Sequence, residues 1–434
     1  MNESERSQRF YESSVAHLQR VRLALLRHEF KSSLHRDDAV LSGRLSLWEP
    51  LYRAIVDEYG DSRSPSIFSG DRNIMQGTKH YSSMASNIRA LVPFATRYIP
   101  VLDVAVFSLL VMYYGRLHSD TGLVSLARSG YTAAISQYRQ YLHTAMPEAT
   151  GATHISRALF CTSVALCCFE HLDQVAASSF GYMAHMDGAL RLLQSCGPSV
   201  ARDFPEIRPV LRGFRRIAVH IAIRRRRATF LSEPEWNKHE SLRNGFDARD
   251  HLAALAFELP GILDAVDKIR QNSCNPSQNS DVACLLLEET HRLHAKFEAW
   301  MAGVKNLIKV DLFWPSSQTK GVRAQTIDPE CSPKHKSSLQ QLDFANGTVA
   351  GLLVHCWAFQ LELLTAQDGL QRCLELDEKN DFARNASQKA DETAQLIMEA
   401  HPYLTSCFEG IIGLQLPMES VKGYFARRAT LEQC

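Results

Sequence analysis

The fold turns on ALFCTSVALCCF, residues 158–169, in which no side chain is charged and every one is apolar or small. A helix lying on a surface keeps one polar face, so a helix apolar all round must be covered on most sides. The periodicity extends it to Ile155–Leu172. On its C-terminal side, after a short turn, Met183, Met186, Leu190 and Leu193 recur at steps of three and four and predict a helix over Phe180–Gln194. Gly197 and Pro198 follow as its stop, glycine past the end and proline unable to continue. On the N-terminal side, Ala127, Tyr131, Ala134, Tyr138 and Leu142 share one face of a helix over Gly122–Leu142. Upstream of that, Pro100 opens the helix Val101–Leu117.

The rest of the chain reads the same way. Helices are expected over Phe10–Phe30, Glu206–Phe230, Ala248–Glu258, Gly261–Gln271, Val282–Ile308, Asp343–Ala366 and Asp381–Ala400. Residues from Gly60 to Lys79 read as a loop, as do polar stretches near 271–281 and 316–336. No strand series appears. The expected fold is all-α, with antiparallel helical pairs forming a multi-helix bundle or an irregular helical array. Two parts are expected: residues 1–90, holding N-terminal helices and a loop, and a helical domain over 91–430.

Composition narrows the function classes. The chain has 434 residues, 45% hydrophobic and 22% charged, with a formal net charge of +1. That balance supplies no global field for nucleic acid or an anionic membrane. The opening MNESERSQRF lacks a basic stretch followed by an apolar core, so no secretory signal is expected. The most apolar run, Val101–Tyr114, contains Asp103 and is too short to span a bilayer, so no membrane partner is expected. Eleven scattered cysteines, the first at Cys161, fit reduced thiols in an intracellular protein.

Short signatures of chemistry are few. GxGxxG, P-loop, HExxH and GxSxG patterns are missing, and the expectation is no enzyme, no catalytic residue and no cofactor. Glu288, His291 and His294 in EETHRLH put two potential metal ligands on one helical face. A metal site needs a second such helix, none is evident, and a solvated face with no metal is expected. Cys167, Cys168 and His171 sit in apolar surroundings and read as buried, inert thiols beside a histidine. The sequons Asn346-Gly-Thr and Asn385-Ala-Ser are taken as chance matches. The sharpest local charge is Arg224, Arg225, Arg226 and Arg227. It reads either as a nuclear-import or acidic-partner patch, or as the exposed basic end of a helix, where cations complement the dipole.

The segment ALFCTSVALCCFEHLDQVAASSFGYMAHMDGALRLLQSCGP, residues 158–198, resembles the core of the fungal-specific transcription factor domain. In that family an apolar helix ends near an acidic residue and a short loop, and a helix of the form HLxxGLxLL follows. His185, Gly188, Leu190, Leu192 and Leu193 occupy that pattern in HMDGALRLL, with Ala189 where the family has leucine. SGYTAAISQYRQYL, RPVLRGFRRIAVHIAI and HPYLTSCFEGIIGLQLPMESVKGYF are similar to the family's upstream, next and closing stretches. The resemblance covers roughly residues 90–425 and rests on the order and texture of the helices.

The resemblance implies an all-α regulatory domain, a nuclear location and control of transcription without catalysis. Members usually carry an N-terminal binuclear zinc cluster held by six closely spaced cysteines. Here no cysteine precedes Cys161. The expected function is therefore a transcriptional regulator or co-regulator of a fungal biosynthetic gene cluster. Either it acts through a partner or has been repurposed, or its start has been cut short. Expected partners are other transcription regulators or a second copy in a dimer, with DNA reached only indirectly and a small-molecule effector allowed. The alternatives are an enzyme or small-molecule binder reusing the helical scaffold, and a scaffold without ligand.

Overall fold

A computed structural model describes residues 87–88, 90–92, 94, 100–145, 152–173, 180–237, 248–271, 276–308, 310–316, 340–374, 381–406 and 413–431. The helix expected over Phe10–Phe30 and the loops over 60–79 and 317–336 lie outside them. Thirteen α-helices and one two-stranded sheet make up the described fold, which is all-α in class. The described residues divide into two compact units, one within Ile88–Ser195 and one within Cys196–Cys434.

The first unit holds α1 (Pro100–Leu117), α2 (Thr121–Ala145), α3 (Ala152–Leu172) and α4 (Phe180–Cys196). Helix α1 packs on both α2 and α3 and is buried from Val101 to Gly115. The α1–α2 turn is tight: Ser119 is left-handed, and the Asp120 carboxylate caps α2 by accepting from the Leu123 N–H at 3.1 Å. In α3, every residue from Arg157 to Phe169 is buried. The two hydroxyls within that buried stretch are satisfied there. Thr162 donates to the Ala158 carbonyl at 2.8 Å, and Ser163 shares a 2.5 Å hydrogen bond with the Tyr138 hydroxyl of α2. Gly197, with φ +76°, ends α4 in the left-handed conformation that glycine adopts without steric cost.

The second unit begins with α5 (Val200–Asp203), a 3₁₀ turn over Pro205–Ile207, and α6 (Arg208–Arg225). There follow α7 (Pro234–Asn237), α8 (Ala248–Ala256), α9 (Leu259–Gln271) and α10 (Pro276–Ile308), then β1 (Phe313–Pro315) and β2 (Leu342–Phe344). Helices α11 (Gly347–Cys373), α12 (Asp381–Thr405) and α13 (Gln415–Leu431) complete it. Helix α11 is the centre, packing against α8, α9, α10, α12 and α13. Asn346, read above as part of a chance sequon, is its N-cap and accepts from the Val349 N–H at 2.9 Å. The two short strands pair antiparallel, Phe313 opposite Phe344. Their rings join Trp357 and Tyr403 in one aromatic cluster.

Several element boundaries differ from the sequence reading. Helix α11 starts at Gly347, because Asp343 lies in β2, and α12 runs on to Thr405. Helix α6 ends at Arg225, not Phe230, because Arg226 turns left-handed. Helix α10 starts at Pro276, inside the expected polar loop, with proline at the first helical position. Helix α11 runs to Cys373, a further two turns past Ala366, because Gln367, Leu370 and Gln371 continue its buried face. Two described helices, Pro100–Leu117 and Gly347–Cys373, are long and apolar enough to cross a membrane, and both are mostly buried in the fold.

Candidate functional site

In the first unit, three side chains from three helices meet at one polar contact. The Tyr131 hydroxyl of α2 donates to a Glu170 carboxylate oxygen at the end of α3. His185 Nε2 of α4 lies 2.9 Å from the same hydroxyl. Tyr131 has one proton and gives it to Glu170, so its oxygen accepts from Nε2–H of a neutral His185. Burial holds His185 in that state, pushing its pKa down to about 4. Burial, and then the adjoining Glu170 carboxylate, push the Tyr131 hydroxyl well above its ordinary value. The Tyr131 ring stacks on Phe169 at 4.3 Å. Gly181 at the start of α4 leaves room for the carboxylate, since a methyl group there would collide with Glu170. One turn beyond Glu170, Asp173 accepts from Arg128 at 2.7 and 2.8 Å and from Arg116 at 2.9 Å, tying the ends of α1, α2 and α3.

In the second unit, the basic run lies at the end of α6 and is not four free cations. Arg224 pairs with Glu419 of α13 at 3.0 Å. Arg226 donates to both Asp267 oxygens of α9, at 2.5 and 2.9 Å. Arg225 and Arg227 are exposed. The run closes α6 with a Schellman turn. The Arg226 N–H reaches the Ile223 carbonyl and the Arg227 N–H reaches the Ala222 carbonyl. Glycine usually holds the left-handed position of such a turn; here Arg226 does, at φ 49°. A non-glycine residue there costs roughly 1–2 kcal/mol.

Around Arg226, two arginines and two carboxylates meet without every donor being matched. Glu362 of α11 sits 3.7 Å from Arg226 Nη1 and 3.7 Å from Arg427 Nη2, outside hydrogen-bond distance of both. Arg427 Nε and Nη2 are buried atoms that find no hydrogen-bond partner among the described residues. Burial lowers the Arg427 pKa; Glu362 opposes this, and the like charges of Arg226 and Arg270 add to the lowering. Guanidinium stays protonated regardless, so the cost is borne as unmatched charge. Glu419, Gly423 and Arg427 recur every four residues along one face of α13, which brings all three to this place.

The other singled-out residues are placed as follows. Glu288 and His291 are exposed on α10, while His294 is partly buried 3.7 Å from Glu298. Among the described residues no three His, Cys, Asp or Glu side chains converge as a metal ion requires. Cys167 and Cys168 are buried, and burial pushes the Cys167 thiol well up, away from the reactive thiolate. His171 stacks on Tyr182 at 5.6 Å.

Sequence reasoning missed both polar constellations. Tyr131 reads as part of a helical stripe and His185 as part of a motif, but their bond spans a separation of 54 residues. The acidic partners of the arginines lie on α9, α11 and α13, and no local pattern announces them. No protein-family profile, no curated protein and no solved structure matches the chain.

Proposed function

We propose that this chain is a nuclear transcriptional regulator or co-regulator, of the kind implied by its resemblance to the fungal-specific transcription factor domain, serving one biosynthetic gene cluster. One observation supports the reading above others. Two segments picked by resemblance alone, residues 129–142 and 158–198, contain Tyr131, Glu170 and His185, and these three side chains meet at one part-buried contact. The motif histidine and the acidic residue near the end of the preceding helix share one partner, the Tyr131 hydroxyl.

Contacts with other proteins, not with bases, are the proposed route of action, since residues 1–160 hold no cysteine to ligate Zn²⁺. Val282 and Leu285, 45% and 66% exposed, lie one turn apart on α10 and offer apolar surface to such a partner. Transcript profiling after gene deletion tests the proposal. The expected result is a confined set of changed neighbouring transcripts, with transcription proteins recovered on co-precipitation. Unchanged transcripts together with an accumulating metabolite would favour the second reading, an enzyme or small-molecule binder on the same scaffold. The unmatched donors of Arg427 are the observation that keeps ligand binding in play.

A further inference from the structure

We infer that the outward face of α10 around Leu285 is a docking surface for a basic amphipathic helix of a partner protein. What such a partner serves rests on the regulatory reading above; its chemistry is read from α10 itself.

The sequence of α10 departs from an ordinary surface helix at one place. A helix covered along one side needs about three or four apolar residues in seven. Val282–Leu287, VACLLL, is a run of six residues that are all apolar, so it goes the whole way round the helix. The core takes only part of it. Ala283 is buried, in line with Thr290 and Phe297 further along the same helix. Val282, Cys284 and Leu285 are exposed, and Leu285 is the most exposed large apolar side chain among the described residues. A polar residue at 285 would leave the core intact and serve the helix as well. Apolar residues exposed singly are ordinary, whereas two on adjacent turns, within a run that the fold does not require to be apolar, are the kind of surface a partner covers.

Charge decides the occupant. Asp281 lies four residues before Leu285, and Glu288 and Glu289 lie three and four residues after it, which makes all three its neighbours on the helix surface. Asp281 and Glu288 are exposed and carry no ion pair among the described residues, while Glu289 holds Arg292 at 2.8 Å. These acids stand beyond the first turn of α10, where the helix dipole no longer calls for them. A second copy of the chain would set this acidic rim against itself, and nucleic acid or an anionic membrane would be repelled in the same way. A partner whose apolar residues are flanked by Lys and Arg is drawn to it. The backbone groups of α10 are spent on its own helix, so an extended segment finds no edge to pair with. An incoming helix needs none, and its apolar residues at steps of three and four fit beside Val282 and Leu285. The contact spans about two turns, so the complex is expected to be weak and sensitive to salt.

The test is fluorescence anisotropy of a labelled helical peptide, with leucines at steps of three and four and lysines on both flanks, titrated with the full chain. Saturable one-to-one binding is expected, weakened about tenfold in high salt. A peptide with the same leucines and glutamates in place of the lysines is expected to bind at least about tenfold less tightly. Leu285→Gln is expected to weaken the lysine peptide about fivefold, and Asp281→Lys together with Glu288→Lys about tenfold. Leu307→Gln, at an exposed leucine near the other end of α10, leaves it unchanged. All these positions are exposed, and circular dichroism checks that each variant is folded. A photoreactive group at the centre of the peptide should label residues 276–292. Lack of saturable binding, equal binding of the glutamate peptide, unchanged affinity in Leu285→Gln, an equal loss in Leu307→Gln, or labelling outside α10 would overturn the inference. Unchanged transcripts after gene deletion would remove the regulatory reading and leave these affinities as they are.

Discussion

The Tyr131–Glu170–His185 contact and the Arg226–Glu362–Arg427 contact are both polar constellations drawn from separate helices, and they differ in one respect. In the first, the single phenolic proton has an acceptor and the phenolic oxygen has a donor. In the second, Glu362 stands 3.7 Å from each guanidinium and two buried nitrogens of Arg427 go unmatched among the described residues. A closed set of partners rigidifies the helices that carry it. An incompletely paired set contributes less. The first is therefore expected to lose more stability on mutation than the second.

Acid offers the largest separation of the two. His185 is neutral when folded, with a pKa near 4, and ordinary when unfolded, so the unfolded chain binds the extra proton. Stability from this source is complete above about pH 6.5 and falls as pH drops through that value toward 4, by up to about 3 kcal/mol. Denaturant unfolding measured between pH 7 and pH 4 should show the fall, and His185→Gln should flatten it. An unchanged slope would show that His185 does not carry it.

Next in size is Tyr131→Phe, which strands the Glu170 carboxylate and the His185 N–H while keeping the ring on Phe169. A loss of about 2 kcal/mol is expected in the same measurement. In contrast, Arg226→Gly should shift stability by less than about 1 kcal/mol, because relief of the left-handed backbone offsets two partly exposed ion pairs. A loss of several kcal/mol would instead make Arg226 a structural strut. Smallest is Leu285→Asp, expected to leave stability within about 0.5 kcal/mol of the parent and to reduce recovery of partner proteins on co-precipitation.

The helices were legible in the sequence where an apolar stripe or an all-apolar stretch is local, as in α1, α3 and α4. Boundaries failed where the stop or start was unconventional. Arg226 does a glycine's task at the end of α6, and Pro276 begins α10 inside polar residues. The short β1–β2 pair escaped because three residues per strand give no alternation to read. The two polar sites escaped for a different reason. Their partners lie on different helices, so only tertiary packing brings Tyr131 to His185 or Arg226 to Glu362. The run Arg224–Arg227 was visible as charge, but how much of it is neutralised by Glu419 and Asp267 was not.

One feature of the first unit reaches beyond its own contact. Gly181 faces Glu170, and Gly188, seven residues further along α4, faces Ser163, seven residues back along α3. Only the first is a true notch: a Cβ at Gly181 would collide with a Glu170 oxygen, whereas one at Gly188 would stand 3.8 Å from the Ser163 hydroxyl, an ordinary contact. Sliding α4 by one turn, about 5.4 Å, would bring a larger side chain onto Glu170. A single missing side chain therefore marks where α4 sits along α3, and the rest of its surface is free to vary.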